Sequence, residues 1–556
     1  MEKSFFSLTL SEEFFIFVCR KQNQCDVFRK AILLVLFLNL FSCLFAQNYT
    51  FWVAFTDKKN SPYSVDYPLE FLTERSLQRR IKQGLELDES DLPVNPNYID
   101  SLKNLGATIV GASRWLNGVT ISLDDTIDVV PKIRELSCVA SLQLTKKYSS
   151  SRVSRNKMPM SRHSEEIVDS AFRQNSFHGL DALHKLGYKG DGIHVAILDA
   201  GFANVDRLSA FDSLRVFNRL LGVRDFVDAS SDVYRQHAHG LAVLSTMAAN
   251  VPNVMVGAAP QASYWLLRTE DDATESLLEL DNWVRAIEFA DSVGVDVVNS
   301  SLGYSTFDDS NMNFSYEDMN GRTARISIAA TMAARKGMLV VNSAGNDGSN
   351  SWHYISAPAD ADSIVTVGGV GYSGMHCSFS SYGPTSDNRI KPTVCSIAYD
   401  AYVMGTAGNI YGSVGTSFAS PIIAGAVACL WQALPNLTNM QIIDLLKVNS
   451  SQFENPDNKL GYGIPDFYKT YNSVISKIED IENVEIVVSP NPFSAMLRFF
   501  LPKKAVVSIY DLMGNCVFLS DMVEDVQIDT SDWRNGVYLL CIKSETECFV
   551  KKIIKK

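Results

Sequence analysis

The chain has 556 residues, which at about 100–200 residues per domain suffices for roughly three or four domains and excludes a single small module. With 46% hydrophobic and 20% charged residues, it has the composition of a folded globular protein, neither collagen-like nor wholly disordered. Lys and Arg total 50 against 62 Asp and Glu, and the net charge of −12 argues against a general nucleic-acid-binding protein because it repels phosphate.

Residues 1–46 are predicted to form an export signal, with translation starting later than the first Met. Two basic residues precede an apolar run over 31–46 that ends in the small residue Ala46. A membrane anchor is the weaker alternative, since the run is shorter than the ~20 residues of a spanning helix. Lipid attachment at Cys43 is a second alternative. Signal cleavage would leave a mature chain beginning near Gln47, in oxidising surroundings.

Residues 47–147 are predicted to form an α+β domain. Apolar patterns typical of strands alternate with patterns typical of helices, in an order close to the split βαβ of ferredoxin-like folds with one added helix. The segment at 148–170 is polar, rich in Ser and Arg and without apolar periodicity. It is therefore predicted to be an exposed linker that proteases can reach.

Residues 171–475 repeat a near-continuous apolar strand followed by a helix of small residues. This pattern predicts an α/β domain with a doubly wound, mostly parallel sheet, whose functional site lies beyond the carboxyl ends of the strands. Residues 484–556 carry short strand patterns between turns and are predicted to form an all-β sandwich. Within it, Cys541 and Cys548 flank a predicted two-residue turn, which would place them opposite each other on a hairpin and allow a disulfide.

Two candidate functional residues lie at a predicted strand end and a predicted helix start. Asp199 ends an apolar strand, although an isolated Asp there more often caps a helix or a turn. His239 begins a helix and is preferred to His237, which falls in the preceding loop, and Gly240 leaves room beside the imidazole. Either histidine alone is more often an ordinary hydrogen-bonded side chain.

Two further candidates have equally ordinary interpretations when taken singly. Ser417 follows a Gly-Thr approach, and Pro421 suits the first turn of the helix that follows, so Ser417 is predicted near the positive end of that helix. Its ordinary interpretation is an N-cap, which Ser420 would also satisfy. Asn346 can offer an amide to a developing oxyanion, yet Asn-Asp-Gly is also common turn composition.

The conjunction of these residues favours a catalytic site over the separate ordinary interpretations. The blocks that contain them resemble the signature blocks of the subtilisin-like serine peptidases over about 300 residues, and the chain order Asp, His, Ser is that of subtilisin. GTSFASP is the strongest block; the others are DAGF, HGLAVLS, SSLGY and SAGN. Ala200, Leu241, Ala242 and Thr393 depart from the usual family pattern, and none of them replaces a reacting group.

The resemblance implies a secreted serine endopeptidase that cleaves polypeptides through an acyl-enzyme on Ser417. His239 would be the general base, Asp199 would orient it, and Asn346 would bind the oxyanion. The segment Ser301-Leu302-Gly303 would bind an extended substrate as an added strand.

The flanking segments also resemble known families. Residues 47–147 are similar to the propeptides of secreted subtilisin-like enzymes, which act as intramolecular inhibitors; a permanent accessory domain is the alternative. Self-cleavage is expected within the linker, between Thr145 and Ser164. Residues 484–556 resemble the C-terminal sorting domain of type IX secretion, which implies release or display outside the outer membrane; a carbohydrate-binding or surface-binding sandwich is the alternative.

Two other functions were weighed against the peptidase, an esterase and an adhesin. An α/β-hydrolase esterase needs Gly-x-Ser-x-Gly and the opposite residue order, and a surface adhesin on a catalytically weakened scaffold would have no need of the reacting groups retained here. No cofactor and no zinc site are expected. Structural calcium stays open: Glu270-Asp271-Asp272 is acidic, but without EF-hand spacing it is interpreted as a solvated loop.

Overall fold

The computed structural model describes residues 49–124, 126–147, 170–482, 487–543 and 548–556. These residues form two compact units, one ending at Pro465 and one running from Asp466 to Lys556. The predicted export signal at 1–46 and nearly all of the predicted linker at 148–170 lie outside the described residues.

The N-terminal domain contains an antiparallel four-stranded sheet and, among its described residues, three α-helices. Its elements are β1 (Tyr49–Phe55), α1 (Glu74–Lys82), α2 (Pro96–Asn104), β2 (Thr108–Ser113), β3 (Gly118–Leu123), α3 (Val129–Glu135) and β4 (Val139–Lys147). The strand order β2-β3-β1-β4 is that of a ferredoxin-like sheet, which confirms the predicted α+β fold. Its core is apolar and includes Val53, Leu102, Val119, Ile121 and Ile133, each fully buried.

The central domain contains eight helices and eleven strands among the described residues. The strands are β5 (His194–Asp199), β6 (Leu220–Asp225), β7 (Asn250–Val251), β8 (Met255–Val256), β9 (Ser263–Arg268), β10 (Val297–Ser300), β11 (Leu339–Ser343), β12 (Val365–Val370), β13 (Val394–Ile397), β14 (Tyr399–Met404) and β15 (Ile410–Val414). The helices are α4 (Ser170–Ser176), α5 (Leu180–Lys185), α6 (Asp212–Val216), α7 (His239–Ala248), α8 (Leu277–Ser292), α9 (Arg325–Arg335), α10 (Thr416–Ala433) and α11 (Asn439–Val448).

Seven of these strands form one parallel sheet in the order β13-β12-β11-β10-β5-β9-β6. All residues of β10 and β11 are buried, as expected when helices cover both faces. Helix α7 packs with α10, and α8 packs with α9. The doubly wound prediction is confirmed. Among the described residues, only α10 has the length and apolarity of a membrane span, but 89% of it is buried, so its composition serves the core.

Helix α8 lies under the N-terminal domain and carries a buried carboxylate that three arginines of that domain contact. Arg79, Arg80 and Arg114 each form an ion pair with Asp291, and Arg80 also contacts Asp91 at 2.9 Å. Asp291 is fully buried, which disfavours its charge, but the arginines outweigh burial and hold its pKa well below the usual range. The N-terminal domain is thus joined to the central domain through buried charges as well as apolar contacts.

The second unit begins with α12 (Phe467–Glu482) and continues as an antiparallel β structure. Its strands are β16 (Val487–Ser489), β17 (Met496–Asp511), β18 (Cys516–Asp529), β19 (Gly536–Lys543) and β20 (Cys548–Lys555). Side chains such as Phe499, Val507 and Leu540 form its core, and the predicted all-β character of the tail is confirmed.

The predicted pairing of two cysteines is wrong. Cys541 faces Val550 and Cys548 faces Lys543, because four residues rather than two separate the last paired residues of the hairpin. Cys377 and Cys395 of the central domain are buried free thiols.

Candidate active site

An Asp–His pair lies at the carboxyl end of β5. His239 is the first residue of α7, and its Nδ1 lies 2.9 Å and 3.0 Å from the two carboxylate oxygens of Asp199. Asp199 is fully buried, and its Oδ1 also accepts a hydrogen bond of 2.7 Å from the Ala200 N–H. A Cβ on Gly240 would lie 2.4 Å from the carbonyl oxygen of Gly201, so only glycine lets α7 approach β5 this closely.

The neighbouring His237 does not contact Asp199. Its Nδ1 accepts a hydrogen bond of 3.2 Å from the His239 N–H, and the two imidazole centroids are 6.5 Å apart. Burial, reinforced by the nearby His239, lowers the pKa of His237. The structure therefore places His239 on the carboxylate and leaves His237 beside it.

Ser417 lies in the first turn of α10, which begins at Thr416. Pro421 falls in the second turn rather than in the first, so the predicted position of this proline is wrong. Since proline has no N–H, the carbonyl of Ser417 lacks its usual helical donor, and the Ser301 hydroxyl donates to that carbonyl at 2.8 Å instead. The Ser417 N–H, like others in a first turn, has no acceptor within the helix and can bind a ligand.

One cavity of about 390 Å³ brings these groups together, since both His239 and Ser417 line it. The Ser417 Oγ lies 3.4 Å from the carbonyl oxygen of Ser301, and in the described part of the chain no hydrogen bond joins it to His239. A serine hydroxyl reorients by rotation of χ1, and catalytic hydrogen bonds commonly tighten only when substrate binds. The cavity wall thus holds a hydroxyl, an imidazole and, behind the imidazole, a carboxylate.

Asn346 also lines this cavity, in the loop that follows β11. Its Oδ1 accepts hydrogen bonds from the Thr416 N–H at 2.9 Å and from the Thr416 hydroxyl at 3.0 Å. These two bonds hold the oxygen end of the carboxamide, so the Nδ2 end is the one available to a ligand. The side-chain amide is thereby oriented before any ligand arrives.

The segment from Ser301 to Gly303 follows β10 and forms another wall of the cavity. Leu302 is buried, and the chain beyond it is fixed where Tyr304 and Ala357 exchange backbone hydrogen bonds of 2.8 and 3.1 Å. The segment is therefore held in place at both ends, beside Ser417 on one side and at the Tyr304–Ala357 bridge on the other.

Among the lining residues that were not identified from the sequence are Glu270 and Glu275. Glu270 is only 2% exposed and accepts a hydrogen bond from the Tyr304 hydroxyl, so the interpretation of its loop as simply solvated is wrong for this residue. Glu270 could have been found by the rule that was used for Asp199, namely that functional residues lie beyond the carboxyl ends of parallel strands. The loop that contains Glu270 follows the carboxyl end of β9.

A third carboxylate, Glu279, lies close to these two. Single oxygens of all three glutamates fall within 4.8 Å of one another, a spacing that would suit a metal ion. However, the two oxygens of Glu279 already accept hydrogen bonds from the N–H groups of Asp271 and Ser276, at 3.0 and 2.9 Å, and so cap α8.

Three segments of the chain match protein-family models. Residues 190–463 match the subtilase family. Residues 50–161 match the peptidase S8 propeptide domain of Bacteroidota, and residues 487–556 match the secretion system C-terminal sorting domain. The last match indicates export, to the cell surface or into the medium.

Characterised relatives cover the same region. Subtilisin NAT of Bacillus subtilis subsp. natto is 31% identical over 302 residues, which is 52% of this chain and 70% of the relative. Subtilisin DY of Bacillus licheniformis is 32% identical over 290 residues, covering 51% and 91% of the two chains. Among solved structures, MycP1 from Mycobacterium smegmatis has a TM-score of 0.44 and 20% identity, covering 58% of this chain and 92% of that one. The chain therefore belongs to the subtilase family and is an exported serine-type endopeptidase with a propeptide domain and a sorting domain.

Proposed function

We propose that this peptidase hydrolyses peptide bonds through an acyl-enzyme on Ser417, with His239 as the general base and Asp199 as its orienting partner. The observation that carries the proposal is the contact of one imidazole nitrogen with both oxygens of a buried carboxylate, on the wall of the cavity that Ser417 lines. That contact fixes Nδ1 as the protonated nitrogen and turns Nε2 into the base.

Acylation begins when the Ser417 Oγ attacks the carbonyl carbon of the substrate and its proton passes to Nε2 of His239. The resulting imidazolium is stabilised by Asp199, which stays ionised throughout. Collapse of the tetrahedral intermediate breaks the C–N bond, and His239 returns the proton to the departing amine. Water then attacks the ester by the same route and restores the serine.

The negative oxygen of the tetrahedral intermediate is bound by two donors. One is the Ser417 N–H in the first turn of α10, and the other is Nδ2 of Asn346, whose opposite end is held by Thr416. Both donors are in position before the reaction, so little reorganisation is needed as charge develops. The Ser301-Leu302-Gly303 segment binds the extended substrate beside them through its backbone groups.

The propeptide domain acts as an inhibitor until it is removed. Its last described strand, β4, ends at Lys147, and Lys146 contacts Asp271 in the loop whose Glu270 and Glu275 line the cavity. Cleavage between Thr145 and Ser164 by the peptidase itself would release the block. Mass spectrometry of the secreted, active enzyme should find this segment cut; an intact segment in fully active protein would refute self-processing.

The proposed nucleophile is tested by labelling with a fluorophosphonate, which reacts with activated serines. The processed wild-type enzyme should be labelled and should digest casein without hydrolysing lipid esters, whereas Ser417→Ala should lose both labelling and digestion. Ser420→Ala, the same change three positions along α10, is the matched control and should keep the label. Labelling that survives Ser417→Ala would overturn the assignment, and an unlabelled wild-type enzyme would favour the adhesin alternative.

A further inference from the structure

We propose that the Ser301 side chain positions the nucleophile, by holding the backbone carbonyl of Ser417 through a buried hydrogen-bond network. The assignment rests on the proposed function, because it takes Ser417 as the nucleophile. It also goes beyond that function, in which only the backbone of Ser301 has a role. Since its hydroxyl acts through the backbone of Ser417, Ser301 is a positioning residue and not a catalytic one.

The first support is a helical hydrogen bond that is missing at the start of α10. In an α-helix the carbonyl of Ser417 would accept a hydrogen bond from the N–H of residue 421, but that residue is Pro421, which has no N–H. The Ser301 hydroxyl donates to this carbonyl at 2.8 Å. The first turn of α10 is thereby joined to the residue that follows β10, 116 positions earlier in the chain.

A serine hydroxyl alone can rotate, and Asn299 fixes this one. The Asn299 Nδ2 lies 3.1 Å from the Ser301 Oγ, and the Asn299 Oδ1 accepts a hydrogen bond of 2.8 Å from the Ser420 hydroxyl. A carbonyl oxygen can only accept, so Ser301 gives its one proton to Ser417 and must itself accept from the amide of Asn299. The direction of each hydrogen bond in the network is therefore determined.

The side chains of this network are shielded from solvent. Asn299 and Ser420 are fully buried, and Ser301 is 4% exposed. Because little water competes for these hydrogen bonds, they restrain their partners more firmly than the same bonds would at the surface. The network thus restrains the distance between the end of β10 and the start of α10.

Ser417 is held from both sides as a result. The preceding residue, Thr416, is bonded through its N–H and its hydroxyl to the Oδ1 of Asn346, and the Ser417 carbonyl is bonded to Ser301. The attacking Oγ and the N–H that binds the oxyanion both belong to Ser417, so a shift of its backbone displaces both groups at once. A misplacement of about 1 Å can cost about 10²-fold in rate, and the Ser301 hydroxyl therefore acts on the chemical step.

The test is Ser301→Ala, which removes one oxygen atom and keeps the backbone groups that bind the substrate. Steady-state kinetics on a peptide substrate should show kcat lower by about 10- to 100-fold, with KM changed by less than about threefold. Fluorophosphonate labelling that is run to completion counts the active enzyme and corrects each rate for protein that does not fold. An unchanged kcat would overturn the proposal.

The rate of fluorophosphonate labelling gives a second readout, which separates the nucleophile from the substrate-binding segment. A short-chain fluorophosphonate reacts with Ser417 without lying along the backbone of Ser301-Leu302-Gly303. Ser301→Ala should therefore slow labelling by a factor similar to the loss of kcat. Slow cleavage with an unchanged labelling rate would show that Ser301 acts on the bound substrate instead, and would also overturn the proposal.

Ser300→Ala is the matched control, because it makes the same change at the adjacent residue. The Ser300 hydroxyl is also buried, but it accepts a hydrogen bond of 3.0 Å from the Trp283 indole, which belongs to α8 and not to α10. This variant should melt at a lower temperature than the parent and keep the parental kcat and labelling rate. If it lowers kcat as much as Ser301→Ala does, general destabilisation explains the loss and the proposal fails.

Asn299→Ala tests whether the network acts as a unit. Since Asn299 acts through the Ser301 hydroxyl, its substitution should lower kcat no further than Ser301→Ala does, and the double variant should resemble Ser301→Ala alone. Additive losses would contradict the network, and if Asn299→Ala does not fold, Ser301→Ala and its control still decide. Failure of the proposed function has a different signature, because fluorophosphonate would then fail to label Ser417 in the wild-type enzyme.

Discussion

The carboxamide of Asn346 is oriented by Thr416 and not by the substrate, so its role is best measured in the rate of the chemical step. We expect Asn346→Ala to lower kcat by about 10²- to 10³-fold, a magnitude known from subtilisin itself, with KM changed much less. Steady-state kinetics on a peptide substrate separate the two constants. A rise in KM with an unchanged kcat would show instead that Asn346 only binds the ground state.

Lys391 is a buried cation outside the active site and gives the stability of the central domain a defined pH dependence. Burial, with a smaller effect of Arg389, lowers its pKa from 10.5 to about 7, and its Nζ donates to the Thr366 hydroxyl at 2.9 Å. The unfolded chain therefore binds more protons between pH 7 and 10.5, and stability rises with pH in that window. Below pH 7 the folded protein bears the full cost of the buried charge.

Replacing that cation should remove the pH dependence. Lys391→Met is expected to raise the melting temperature relative to the parent at pH 6, and the gain should shrink by pH 10 because the lysine is then neutral in the folded state. Scanning calorimetry in a Ser417→Ala background avoids self-digestion. An equal shift at both pH values would mean that packing, and not charge, is responsible.

At the residue scale, the sequence was sufficient for groups that follow a strand or begin a helix. Asp199 and His239 were found in this way and lie in contact. Glu270 also follows a strand, but acidic runs are usually solvated, and Tyr304, which donates a hydrogen bond to it, is distant in the sequence. Contacts of that kind cannot be predicted from local composition.

Among the elements, helix α8 carries Asp291, whose ion pairs join this helix to the N-terminal domain. We expect Asp291→Asn to destabilise the inactive full-length Ser417→Ala chain by about 3–5 kcal/mol, because it removes the counter-charge that three arginines share. Asp100→Asn breaks an ion pair whose carboxylate is 60% exposed and should cost at most about 0.5 kcal/mol. Urea unfolding of both variants measures the contrast, and equal effects would contradict it.

Element types were predicted more reliably than element ends. The apolar periodicity located the strands of the parallel sheet, but α10 starts at Thr416, one turn earlier than the position of Pro421 suggests. The lost helical bond is replaced by the Ser301 hydroxyl, a contact 116 residues away that no helix rule includes. The predicted pairing of β19 with β20 was wrong for a related reason. The length of the connection between the two strands sets which residues face each other, and the spacing of the cysteines does not.

At the scale of the whole molecule, the sorting domain should determine where the protein is delivered, independently of the peptidase domain. Deleting residues 484–556 should trap the protein in the periplasm, because the deletion removes the segment that matches the sorting family at 487–556 and leaves the 190–463 subtilase match intact. Western blots of cell fractions, with a periplasmic marker as control, measure the outcome. Normal release of the truncated protein would contradict the sorting role.

The organisation of the molecule could be predicted because each region has its own periodicity. Alternating helix and strand patterns mark the N-terminal domain, and near-continuous apolar strands mark the parallel sheet. How the N-terminal domain attaches to α8 could not be predicted, because an arginine and an aspartate that meet across about 210 residues look like ordinary surface charges in the sequence.

Those buried charges set a condition for any domain that would take the place of this propeptide domain. A foreign domain of the same shape, but with apolar residues where Arg79, Arg80 and Arg114 lie, would bury the Asp291 carboxylate without a counter-charge. The surface of such a domain would fit the central domain in shape, but its binding would be unfavourable. A propeptide domain that lacks those arginines should therefore bind this peptidase more weakly than its own propeptide domain does.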